Sequence, residues 1–247
     1  MTSFWFIAGP PFDTPMWAEV VRRLQDHDQD THCWPMLTEG VGSLQSEIVR
    51  LVAAINASKT PVVLIGHGTA VPLVIAAAQQ ADVSGIVLSN GPLGEQDLLS
   101  AGLSRMAQLP KVLAQRLLSP SVALPLLASS VGLRRTVVNP YVMDRDTTVA
   151  ICEPILSDPA RRARVQTYLT SLNKDALQAP SMETPALLCW GDSDALSSRI
   201  YNEFLKNCPQ NITVDPVQGG RFFHPVERPW ELADKVVNWA ANQQTTT

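Results

Sequence analysis

The stretch PVVLIGHGTAVPLVIAAAQQ, Pro61 to Gln80, limits what this chain can fold into more than any other. A run rich in β-branched residues, a glycine-rich turn and a run of small apolar residues long enough for a helix together predict strand, sharp turn, helix. A strand this apolar has no polar face to offer water, so it belongs in a sheet covered on both sides. The middle of the turn is Gly68. A turn of this kind ordinarily presents a serine, cysteine or aspartate there, and glycine brings no side-chain atom at all.

The flanking sequence repeats the alternation. Ser3–Ala8 reads as a buried strand followed by a GPP loop, and the apolar spacing of Trp17, Val20, Val21 and Leu24 predicts a helix with Thr14 as N-cap ahead of Pro15. HCWPML reads as a second strand. Ser43–Ala57 reads as an amphipathic helix with Ile48, Leu51, Val52 and Ile55 on one face, with caps available from Ser43, Ser46, Gln45 and Glu47. Ser84–Asn90 is a further buried strand. Strands alternating with helices over short links predict a parallel sheet with helices on both faces, a doubly wound α/β core. From Gly91 to about Ala179 the pattern becomes helices broken by prolines. Strand and helix then alternate again through TPALLCWG, SSRIYNEFLKNC, ITVDPV and RPWELADKVVNWAANQ. The expected layout is a core of residues 1–90 and 181–247 with a helical cap inserted at 91–180.

Composition removes several function classes. The 247 residues are 45% hydrophobic, enough to bury one large core, and a net charge of -4 with 19 Lys+Arg and no basic block argues against nucleic-acid binding. The four cysteines, Cys33, Cys152, Cys189 and Cys208, have no CxxC spacing, so free thiols are expected rather than disulfides or a metal site. No run is long enough for a membrane span and no basic residue precedes the first apolar run, which points to the cytoplasm. Neither a GxGxxG after a strand nor a P-loop lysine is present, so no cofactor is implied.

The order of elements, GHGTA at the turn, AGPPFDTPMW after the first strand, LLCWGDSD, and FFHPVERPWELADKVVNWA into the last helix resemble the α/β-hydrolase superfamily over nearly the whole chain. By this resemblance the first strand matches the family's third, so the usual leading hairpin is missing. Gly68 falls at the nucleophile position, flanked by the small residues Gly66 and Ala70 that the tight elbow requires, with His67 a structural member of the turn. The acid falls on Asp194, with Asp192 as alternative, and both aspartates also suit a capping turn. The family's histidine commonly lies five residues before the glutamate of an E-R-P segment. Here that count from Glu227 reaches Phe222, while His224 is only three before it. Of the two oxyanion donors, the Thr69 N–H is retained. The other position, after Ala8 and Gly9, is Pro10, which has no N–H, and a shift onto Pro11 would not restore one.

The resemblance therefore implies an α/β-hydrolase scaffold with a degenerate triad and a pocket for a small apolar molecule between core and cap. Two readings follow: a non-hydrolytic binding protein, or an enzyme doing hydrolase, lyase or cyclase chemistry with Asp194 or His224 and no covalent nucleophile. A partner-binding scaffold would instead expose the apolar cap face LLSPSVALPLLASSVGL.

Overall fold

The computed structural model describes residues 2–93, 107–172, 184–196 and 198–244, excluding the side chains of 198–200 and 244. Six parallel strands form one sheet in the order β2-β1-β3-β4-β5-β6: β1 Ser3–Ala8, β2 Asp30–Trp34, β3 Val62–His67, β4 Gly85–Ser89, β5 Ala186–Leu188 and β6 Ile212–Val214. Every residue of β1, β3, β4 and β5 is buried, as their unbroken apolar runs require when both faces are covered. The chain order reverses between β1 and β3, so loops leaving their carboxyl ends diverge and open the crevice in which doubly wound sheets place ligands.

Helix α1, Ala18–Gln25, buries Val20 and Leu24, and α2, Leu44–Ala57, buries Ile48, Leu51 and Ile55. α3, Val71–Ala78, follows β3 through a 3-10 turn at Gly68–Ala70. Between β4 and β5 lie α4 Lys111–Leu117, α5 Pro120–Leu127, α6 Arg145–Leu156 and α7 Pro159–Ser171. The expected insertion at 91–180 is described only in part, since 94–106 and 173–180 lie outside the described residues. The chain finishes with α8 Ser198–Leu205, the short α9 His224–Glu227 and α10 Pro229–Gln244. No described helix is long and apolar enough to cross a membrane. The four cysteines are free thiols, and burial pushes Cys152 up to about 12.

Local chemistry moves several of the expected boundaries. Asp13, not Thr14, caps the first turn: its carboxylate accepts the Thr14 N–H at 2.7 Å, and Thr14–Trp17 is a 3-10 turn before α1. The second strand starts earlier than HCWPML and stops at Trp34, because Pro35 has no N–H for a ladder. Ser43 caps α2 by accepting the Ser46 N–H, as expected. Glu47, however, turns inward instead of capping. It is buried and pairs at 2.6 Å with Arg50, whose guanidinium lies 4.4 Å over the Trp34 ring.

The helical segment is anchored to the core by buried polar contacts. Arg161 of α7 meets Asp13 at 2.7 Å, both largely buried, and donates from Nη2 to the Met36 carbonyl at 2.8 Å. Arg164 reaches the Leu37 carbonyl at 3.0 Å. Removing one member of such a pair strands a charge that folding has taken from water. Arg161→Met is therefore expected to cost about 3–5 kcal/mol in urea unfolding. A loss below about 1 kcal/mol, the range of exposed pairs, would mean that Asp13 regains water.

Candidate functional site

Gly68 stands at the β3–α3 turn with φ +61°, a left-handed conformation that costs an L side chain about 1–2 kcal/mol and glycine nothing. Its N–H donates to the Asn90 carbonyl at 3.1 Å, which fixes the turn to the end of β4. A Cβ on Gly68 would meet Phe222 Cζ at 3.3 Å, a tight contact that the ring relieves by shifting a few tenths of an ångström. Phe222 is buried and its ring centroid is 4.6 Å from that of His67. Phe12 and Phe223, 4.8 Å apart at 85°, extend the aromatic cluster.

The loop after β1 lies directly on this turn. Gly9 is required there because a Cβ would overlap the Thr69 and Ala70 amide nitrogens. The Gly9 N–H donates to the His67 carbonyl at 3.0 Å, and Thr69 Oγ1 donates to the Pro10 carbonyl at 3.0 Å. From α7, the buried Tyr168 hydroxyl donates to the Thr69 carbonyl at 2.8 Å, so the helical segment touches the turn itself.

His224 is fully buried. Its Nε2 is 3.0 Å from Ser89 Oγ, which in turn is 2.9 Å from His67 Nδ1. The Ser89 hydroxyl has one proton and can donate to only one ring. An arrangement with both rings neutral has Ser89 donating to one imidazole and accepting from the other. Burial holds both in that state. It pushes His224 down to about 3 against the opposing pull of the Cys189 backbone, and drives His67 well below its usual value with His224 adding to the effect.

The segment around His224 is committed to the helical region. Phe223 N–H donates to the Thr136 carbonyl at 3.0 Å, and Arg221 Nη1 to the Val137 carbonyl at 3.1 Å. The Glu227 carboxylate accepts the N–H groups of Val138 at 2.9 Å and Asn139 at 2.6 Å. Sequence reasoning noticed Glu227 only as a counting mark, and missed Arg221, Ser89, Asn90 and Tyr168. Ser89 and Asn90 could have been found from their place at the carboxyl end of a buried strand.

Asp194 is buried at the end of the β5 side of the sheet. Its carboxylate accepts from Asn90 Nδ2 at 3.1 Å and from the Leu196 N–H at 3.2 Å, while Asn90 Oδ1 accepts the Gly191 N–H at 2.8 Å. Asp192, the alternative, accepts the Gly219 N–H at 2.7 Å and is exposed. Asn90 thus brings Gly68 and Asp194 to one residue, whereas His224 joins Ser89 and His67 instead. A groove of about 930 Å³ runs between Leu127–Thr136 with Tyr141 on one side and Ser193–Leu196 with Arg221 on the other, and Asp194 lines it. No group of three metal-ligating side chains occurs among the described residues.

No protein-family model matches this sequence, and no curated protein matches it either. Solved structures do match over nearly the whole chain. A haloalkane dehalogenase from Bradyrhizobium elkani superposes with TM-score 0.75 at 15% identity, covering 100% of this chain and 92% of its own. The Cif epoxide hydrolase from Acinetobacter nosocomialis gives 0.76 at 12% identity, covering 96% and 82%, and a thermophilic esterase from Thermogutta terrifontis gives 0.69 at 16%, covering 98% and 90%.

The buried histidine pair sets a pH dependence. Each imidazole is neutral when folded and takes up a proton when unfolded, so the unfolded state binds more protons below about pH 6.5. Stability is full above that pH and falls as pH drops toward about 3, where His224 titrates in the fold. His224→Asn is expected to remove about 1.4 kcal/mol per pH unit from the slope of unfolding free energy between about pH 6 and pH 4. Urea titrations across that range check it, and an unchanged slope would show His224 to be charged in the folded protein.

Proposed function

Because the chain has the α/β-hydrolase fold, we propose that it is a non-hydrolytic, small-molecule-binding protein of that fold, a pseudo-hydrolase. The observation that carries this reading is the pairing of Gly68 with Phe222. The turn that would raise a nucleophile offers only backbone, and the place from which a catalytic histidine would face it holds a phenyl ring. Phe222 is also the residue reached by counting five back from Glu227, where the resemblance implies a histidine, which supports this reading. Asp194 and His224, the two remaining triad candidates, serve different hydrogen-bonded groups. Acid, base and nucleophile work as a unit, and a set without the nucleophile keeps only the small residual rate of binding and backbone polarisation.

In this reading residues 91–180 act as the cap, and a small molecule with apolar character binds in the groove between cap and core. A groove of about 930 Å³ suits an ordinary organic ligand. The second reading, an enzyme without a covalent nucleophile, rests on Asp194, which lines the groove and could serve a bound water as general base.

Hydrolysis of p-nitrophenyl acetate, butyrate and octanoate, and of short lactones, separates the two. The expected rate is that of the solution background, identical in the native protein and in Asp194→Asn and His224→Ala. Turnover abolished by Asp194→Asn would replace the binding reading with the enzymatic one.

A further inference from the structure

The lining of the groove combines apolar side chains with three guanidinium-bearing residues. Leu127, Val131 and Tyr141 supply apolar wall, and Arg134, Arg135 and Arg221 lie along the same lining. Among the described residues none of these arginines has a carboxylate within ion-pair distance. Arg221 spends Nη1 on carbonyls of the loop, and Arg134 Nε is buried with no hydrogen-bond partner.

Two carboxylates lie near this set, and among the described residues neither is within ion-pair distance of it. Asp194 is held by Asn90 Nδ2 and the Leu196 N–H, and Asp144, capping α6, feels Arg134 only as the weakest of the influences that lower it. The local sequence has the same bias: residues 107–143 contain Lys111, Arg116, Arg134 and Arg135 with no Asp or Glu, in a chain of net charge -4. Val131 and Tyr141 are 66% and 87% exposed, so the apolar wall stands open beside the cations. Large apolar side chains left in water beside uncompensated cations are the two halves of a site for an amphiphile.

From this juxtaposition we infer that the groove binds an organic anion with an apolar body, its carboxylate or phosphate on Arg134 and Arg135 and its hydrocarbon part along Leu127, Val131 and Tyr141. The inference deepens the binding-protein reading and rests on it. A neutral ligand would leave the guanidinium groups as they are. A small inorganic anion would leave the apolar wall in water.

Calorimetric titration of the whole chain with octanoate, octan-1-ol and inorganic phosphate tests it. Octanoate is expected to bind one per chain and at least about tenfold more tightly than either other probe, the factor that one charge-assisted hydrogen bond supplies. Arg134→Gln with Arg135→Gln should bring octanoate to the level of octan-1-ol while leaving octan-1-ol binding unchanged, which also shows that the variant is folded. Lys111→Gln, outside the groove, should change nothing. Equal binding of octanoate and octan-1-ol would overturn the anion assignment and leave the binding-protein reading standing. Phosphate binding as tightly as octanoate would overturn the apolar half. Absence of octanoate binding, or octanoate binding unaffected by the double variant, would overturn the site.

Discussion

The convergence of two successive backbone N–H groups, those of Val138 and Asn139, on the Glu227 carboxylate is the tie from which the arrangement around the β3–α3 turn follows. A charged acceptor with two donors is stronger than a neutral hydrogen bond and, being bidentate, fixes orientation as well as distance. It sets the direction of α9, and with Phe223 N–H on Thr136 and Arg221 on Val137 it sets the three residues before it. Phe222 is thereby delivered to Gly68 and His224 to Ser89. The segment that carries His224 also holds the helical region down.

Elsewhere the fold conserves the turn's geometry without asking it to hold strain. A side chain at φ +61° would need the surrounding packing to enforce it, as strained active-site residues do. Glycine releases that cost, while the Asn90 carbonyl, the Gly9 contact and the Tyr168 hydroxyl still define the turn's shape. The shape of the turn resides in contacts to its backbone and asks nothing of a side chain at position 68.

Much of this was legible in the sequence, and the boundary of legibility is physical. The strands at 3–8, 62–67 and 85–89 show as unbroken apolar runs because burial on both faces leaves no alternation. Helix α2 shows through its 3.6-residue stripe and Ser43, and the lack of a side chain at position 68 needs only the residue's identity. Glu47 does not show, since it is buried against Arg50, whose guanidinium covers the Trp34 ring, and charge at a helix surface normally means water. The Ser89 contact with His224 spans 135 residues and is created by the sheet's order, which no local pattern encodes. The arginines of the groove read as ordinary surface charge until the loop at 193–196 is placed opposite them.

The Glu227 tie also has a consequence in time. Its donors lie 88 and 89 residues before it in the chain, and the Arg221 tie spans 84. A ribosome has long since released the helical segment when residues 221–227 emerge, so α4 to α7 must wait without the bonds that seat their connecting loop. Contacts of such separation are also the slow ones to close, since loop entropy is spent before they form. The loop of the helical segment is locked by residues made 84 to 89 positions after it.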